Sequence, residues 1–326
     1  MNFDGNNKTI YRTLCQQEHI PLFSQYWWMD AVCGGENWDV LLYQEKGNVL
    51  GAFPCHFKQK FGFRYILQPF GTQTNGIWFN YPKQKSFSEY DRLSFEKKVC
   101  FNLINQLESL KLSFFRQNFH FSFTNWLPFY WKGFKQTTRY TYQINIINVD
   151  NAFLNFHSTK KGHIRKCLKN NAILKKEIDA NAFYYYHKDC LIKKNQSIHY
   201  SKDFLLNLHK VVKEREQGII FGMFDDNNCM HSAIFLIWDE MSGYNYMTAI
   251  DPQCKSSGAS SLMFLEAIKY LSDKTKVFDF EGSMEENIEN SFRQFGSIQK
   301  PYFQIEKSYS PFFKLLFDLI SKIKSK

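Results

Sequence analysis

The chain has 326 residues, room for two ordinary domains, and 44% of them are hydrophobic with 18% aromatic, which excludes a disordered protein. A net charge of +10 points to an anionic partner: CoA, a nucleotide, RNA, an acidic lipid surface or a phosphorylated sugar. No run of about eighteen apolar residues exists to span a membrane, and MNFDGNNKTIYRTL at the start lacks the apolar core of a secretory signal. Eight scattered cysteines form no CxxC, and no Cys/His group has zinc-finger spacing, so a reducing cytoplasm, free thiols and no metal are expected.

In chain order, residues 1–20 read as a polar lead-in. Ser24 is placed to cap a short helix carrying Trp27, Trp28, Ala31 and Val32, ended by Gly34-Gly35. WDVLLYQ and VLGAFPCHF alternate as strands around a turn at Lys46-Gly47-Asn48. Arg64 to Leu67 is a further strand, and PFGTQTNGIWFNYP is a loop. Glu89 to Leu110 has helical periodicity, Leu112 to Arg116 is a strand, Asn125 to Trp131 a helical turn, and Phe134 to Ile147 a long strand or strand pair.

The second half repeats that order. Asp203 to Glu214 is a helix, Ile219 to Phe224 and Met230 to Trp238 are strands around DDNN, and Tyr244 to Ala249 is a strand. Ser260 to Leu271 is a helix, Val277 to Phe280 a strand, and Ile298 to Ile305 a strand. Without a gap, WKGFKQTTRYTYQI (131–144) lies over FRQFGSIQKPYFQI (292–305), so the chain reads as two copies of one α/β unit, 1–150 and 151–326. Between them, STKKGHIRKCLKNN is a basic helix with Lys160, Lys161, Arg165, Lys166 and Lys169 around it. The tail SPFFKLLFDLISKIKSK is a basic amphipathic helix that either packs on the domain or rests on an anionic membrane surface.

The stretch VFDFEGSMEENIENSFRQFG carries the most chemistry. Ser283 and Glu286 have capping-box spacing, which starts a helix at Met284; Met284, Ile288, Phe292 and Phe295 form its apolar stripe and Gly296 its stop. Glu281 lies at the strand-to-helix junction where α/β folds place reactive groups. A solvated loop acid and a surface Arg293 are the plain alternatives.

With those residues in hand, the chain resembles the Fem peptidyltransferase-like branch of the GNAT acyltransferase superfamily, built from two GNAT modules in tandem. The likeness rests on KKGHIRKCLKN, KKNQSIHYSKDFL, the hairpin with DDNN, and FDFEGSMEENIENSFRQFG. It covers residues 155–305 well and 20–147 more weakly, and no long helical arm is present.

The resemblance implies an α/β fold of two tandem GNAT-like modules, each a mixed twisted sheet flanked by helices. It implies transfer of an acyl or aminoacyl group to an amine, from acyl-CoA in some relatives and from aminoacyl-tRNA onto peptidoglycan precursors in others. DNA is not an implied partner. The family's phosphate-binding turn corresponds to Cys254 to Ala259, with Lys255, Ser256, Ser257, Gly258, Ala259 and Ser260 as donor-binding candidates at a helix N-terminus. Cys254 and Ser257 replace the family's first residue and first glycine. Glu281 is the expected general base, since an attacking amine must shed a proton. Arg293 stands where the family has a lysine, for an oxyanion or a phosphate. Lys161 and Arg165 match the family's basic helix and would face an anionic substrate. Tyr246 would line the pocket or donate to a leaving group, or would be a core tyrosine. An N-acyltransferase using acyl-CoA, an aminoacyl-tRNA-dependent enzyme and a non-catalytic binding protein are the three expectations.

Overall fold

The computed structural model describes residues 6–83 and 88–315. The chain divides into two compact units, Met1–Arg139 with Pro301–Lys326, and Tyr140–Lys300.

The first unit opens with helices α1 (Asn6–Gln17) and α2 (Tyr26–Cys33), then strands β1 (Trp38–Glu45), β2 (Asn48–Lys60), β3 (Phe63–Ile66) and β4 (Trp78–Phe79). Helix α3 (Glu89–Ser109), β5 (Phe114–Asn118), α4 (Leu127–Trp131) and β6 (Lys135–Asn145) follow. Then come α5 (Val149–Leu154), α6 (Ser158–Lys169), β7 (Ile173–Lys176), α7 (Ala180–Ile192), α8 (Lys202–Glu214), β8 (Gly218–Phe224), β9 (Met230–Trp238) and β10 (Ser242–Ile250). The chain closes with α9 (Ala259–Leu271), β11 (Val277–Asp279), α10 (Glu286–Arg293) and β12 (Ile298–Ser308).

In the first unit β1, β2 and β3 form an antiparallel meander, β3 and β5 run parallel across the α3 crossover, and β12 lies antiparallel on β5 from Gln304–Asn118 to Ser308–Phe114. In the second, β7, β8, β9 and β10 are antiparallel, β10 and β11 run parallel across the α9 crossover, and β6 lies antiparallel on β11. Each unit therefore has one parallel pair bridged by a helix, as a βαβ crossover requires, inside an otherwise antiparallel sheet. The second copy's last strand completes the first unit, and the first copy's last strand completes the second. These two strands are the pair that the gapless internal match aligns. The boundary expected at 150 consequently falls at 139/140, and the chain beyond 300 returns to the first unit.

Aromatic packing fills both cores. In the first unit Phe53, Phe115, Phe119, Phe129 and Phe134 are fully buried or nearly so around α3. In the second, α9 is apolar on almost every face and inserts Met263, Phe264, Ile268 and Leu271 against β8, β9 and β11. Phe264, Phe280, Phe292 and Phe295 form one ring cluster with centroids 4.7–5.4 Å apart. Only the second half of the stripe expected in the Val277–Gly296 stretch is spent there: Met284 precedes α10 and, like Ile288, is exposed.

Three local expectations differ from the structure. The lead-in is the helix α1, because Tyr11 and Leu14 dock on the core and Tyr11 Oη donates to Ser24 O at 2.6 Å. Ser24 ends a 3-10 turn and caps no helix. Ser283 Oγ accepts from the Glu285 amide, and this short turn delays α10 to Glu286, two residues past the expected start. Of the tail helix, residues 311–315 are described: Phe313 is buried against Phe63, Tyr65 and Phe114, so this turn packs on the first unit, while its continuation lies outside the described residues. No helix among the described residues is long and apolar enough to cross a membrane, and all eight cysteines are free thiols.

Candidate active site

Strand β11 leaves β10 early. The two pair only from Ser242–Val277 to Tyr244–Asp279, and β10 continues to Ile250 with β9 alone beside it. A seam opens there, and three features are built around it.

The first is an acid pair. Asp279 is fully buried at the end of β11. Its Oδ1 accepts from Thr141 Oγ1 and from the Glu281 amide (2.7 Å), and its Oδ2 accepts from Gln143 Nε2 at 2.8 Å. Two of these donors come from β6, the exchanged strand. Glu281 turns the chain away with a left-handed φ of +62°. Gly282 continues the turn at φ +62°, where a Cβ would stand 2.1 Å from Tyr140 O, so only glycine fits. Glu281 is partly buried; its Oε1 is enclosed and has no hydrogen-bond partner. Burial, then the charge of Asp279, raises its carboxyl well above the usual range. A strained backbone holding an unsatisfied carboxylate costs stability, and such costs concentrate at functional sites.

The second is Tyr246. The β10–β9 register slips between Asn245 and Met247, which makes Tyr246 the extra residue of a β-bulge and re-aims its side chain. It is buried, edge-on to Phe235 at 5.5 Å, and burial followed by the charges of Glu281 and Tyr200 raises its phenol well above the usual range. Tyr200, ahead of α8, meets His187 Nδ1 at 2.7 Å through its hydroxyl.

The third is the turn before α9. Residues Pro252–Ser257 form a 3-10 turn capped by Asp251, and Gly258 then adopts φ +81°. A Cβ on Gly258 would stand 2.2 Å from His163 O, so the glycine admits the backbone of α6. The Ala259 amide is taken by Ser257 Oγ at 3.2 Å, while those of Ser261 and Leu262 reach Gly258 O. Lysines surround the turn. Lys166 Nζ donates to Ser256 O at 2.8 Å, and Lys255 is exposed. Lys160 is buried, donates to Ser291 Oγ at 2.9 Å and sits 4.5 Å over the Phe295 ring. No carboxylate pairs with it among the described residues. Burial, then the charge of Lys255, lowers its ammonium to about 8. A desolvated cation without a counter-ion, beside an oriented helix N-terminus, suits a phosphate-bearing ligand.

Of the expected residues, the structure therefore brings Glu281 to Tyr246 and sets Lys255 through Ser260 against the basic helix. Arg293 is separate: it is exposed on α10, 3.3 Å from Glu289 Oε1 and from Asn290 Oδ1, and it is not among the charges that act on Glu281. Lys161 donates to Leu154 O at 2.7 Å, closing the end of α5, and Arg165 is exposed. Sequence reasoning passed over Asp279, Tyr200 and Lys160 as site residues. Lys160 had a signal: with Ile164 and Cys167 it occupies the buried stripe of α6 at i, i+4, i+7.

Among the described residues, the first unit has no such opening. Past β3 and β5 the loop around 68–76 fills it: Asn75 bridges Phe119, Gln68 Oε1 accepts from the Asn118 amide at 2.8 Å, and Asn118 Nδ2 donates to Gln73 O at 3.0 Å.

No protein-family model matches the chain, and no curated protein matches it. Solved structures do, and they place it in the class of Fem-like, GNAT-type tandem folds. FemX is similar with a TM-score of 0.67 at 11% identity, over 93% of this chain and 96% of that one. A tandem GNAT protein from the clavulanic acid biosynthesis pathway gives 0.57 at 7%, over 94% and 96%. L-PGS from Bacillus licheniformis gives 0.56 at 7%, over 98% and 96%.

Proposed function

We propose that this chain is an acyl-group transferase that moves an acyl group from an acyl-CoA thioester to an amine, with Glu281 as general base. The observation that carries the reading is the enclosed Oε1 of Glu281, without a hydrogen-bond partner where β11 leaves β10, its charge acting on the bulged Tyr246. The acceptor nitrogen attacks the thioester carbonyl, the C–N bond forms, Glu281 takes the amine proton, and the C–S bond breaks as the thiolate leaves. Tyr246 would hand a proton to that thiolate and regain one from solvent, to which Glu281 releases its own. A base with a raised pKa lies nearer the working pH than an ordinary carboxylate, which favours proton transfer. Lys160, Lys166 and Lys255 would hold the donor's phosphates. Arg293, which the family resemblance suggested for an oxyanion or a phosphate, is left with a surface role on α10.

A second reading keeps the same base and exchanges the donor for aminoacyl-tRNA and the acceptor for a cell-wall precursor. The similarity to FemX, the net charge of +10 and the lysines along α6 support it.

A thermal-shift titration separates the readings. Acetyl-CoA or a longer acyl-CoA should raise the melting temperature and Lys160→Met should abolish that rise, while leaving the unliganded protein at least as stable because a buried unpaired ammonium is gone. Stabilisation by aminoacyl-tRNA alone, weakening steeply with salt, moves the assignment to the second reading. No response to either donor defeats both and leaves a binding protein.

A further inference from the structure

The β8–β9 turn reads Asp-Asp-Asn-Asn-Cys-Met-His from Asp225 to His231. It is internally fixed: Asp225 Oδ1 accepts from the amides of Asn227 (3.1 Å) and Cys229 (2.8 Å), and the Asp225 amide donates to Cys229 O at 3.0 Å. Cys229 and His231 flank Met230, the first residue of β9. The His231 Nε2 stands 3.3 Å from Asp225 Oδ2. One ligand atom each from Asp225, Cys229 and His231 lies within 4.8 Å of the others. Nitrogen and oxygen ligands at about 2.0–2.1 Å from a tetrahedral zinc are roughly 3.3 Å apart, so the histidine and the carboxylate already stand at that spacing.

We propose that Asp225, Cys229 and His231 bind one divalent transition-metal ion of the zinc type. A thiolate, an imidazole and a carboxylate select such an ion over calcium or magnesium, which take all-oxygen sets. Cys229 is exposed and the other two are half-buried, so an ion reaches them from solvent and water completes its shell. The Cys229 amide, foremost, holds the Asp225 carboxyl below its ordinary range and therefore ready as a ligand. Lys193 is taken up by Asp189 (2.9 Å) and Asp251 (2.7 Å). Lys175 is held on Asn228.

The site adjoins the turn before α9. The Asp251 amide donates to His231 O at 3.2 Å. A bound ion would brace the β8–β9 hairpin where it meets the donor turn.

The test uses the full chain, stripped with a chelator and titrated with Co²⁺. One equivalent should bind with a thiolate-to-cobalt charge-transfer band that Zn²⁺ displaces. Cys229→Ser should remove the band, and His231→Ala and Asp225→Asn should each weaken binding about tenfold or more. As a measurement free of variants, Zn²⁺ should slow alkylation of Cys229 by iodoacetamide, read by peptide mass spectrometry. No band at saturating Co²⁺, a band that survives Cys229→Ser, or alkylation indifferent to Zn²⁺ overturns the proposal. None of these readouts depends on the transferase reading.

Discussion

Glu281 is where cost and chemistry meet. Its folded-state carboxyl binds a proton more tightly than it does in the unfolded chain, since its pKa is raised. Native stability is therefore greatest below the unfolded value and falls as pH rises from there through the raised folded value. Glu281→Gln should remove that fall: its melting temperature should match wild type in acid and exceed it at neutral pH. The same variant should lose about a hundredfold or more in turnover, the contribution of a positioned base. Parallel melting curves for the two proteins across the whole pH range would show that the carboxylate is solvated. Asp279 is the partner lever. In Asp279→Asn the amide faces Gln143, which must flip to accept, and with the like charge removed the acid limb of the pH–rate profile should move to lower pH.

At the scale of elements, the turn from β10 into α9 is a packed contact with α6 as well as a helix start. Gly258 has no room for a Cβ against His163 O, and its φ of +81° is one that other residues adopt only under strain. Gly258→Ala should cost about 2 kcal/mol or more, because the obstructing atom is backbone and cannot rotate aside. It should also push α6 away and weaken donor-induced stabilisation. Gly162→Ala, with nothing within 4 Å of its Cβ, is the control and should be neutral or slightly stabilising, as a helical glycine replacement is. Chemical denaturation of both variants, with and without acyl-CoA, checks this. Equal stability of the two would mean that the α6 contact is soft.

At the scale of the molecule, the exchanged strands decide what can fold by itself. A fragment ending at 150 lacks β12 and leaves β5 with an open edge across five paired positions, Phe114 to Asn118. A fragment from 151 lacks β6, and with it Thr141 and Gln143, two of the donors to Asp279. Each fragment expressed alone should aggregate or show a broad, non-cooperative unfolding transition, as unpaired edges do, whereas the two co-expressed should recover cooperative melting. Two cooperative, monomeric fragments by sedimentation and circular dichroism would contradict the exchange.

Periodicity carried most of the elements: the hairpins, the long α3 and α9 are local properties of the chain, and the gapless match of 131–144 with 292–305 revealed the duplication. The helix stop expected at Gly296 comes earlier, with Gln294 capping α10. Glu281 was legible as a strand-end acid, and the turn before α9 as a helix start. Local pattern was silent on whether an apolar or charged side chain would be enclosed. A lysine in a buried helix stripe, an aspartate held by a neighbouring copy's strand, and a bulge that turns Tyr246 toward Glu281 depend on partners more than a hundred residues away in two of the three cases. The exchange itself was invisible for the same reason. The aligned strands carry similar side chains, so sequence fixes what each strand is like, and only the close packing of two folded copies decides which sheet each one completes.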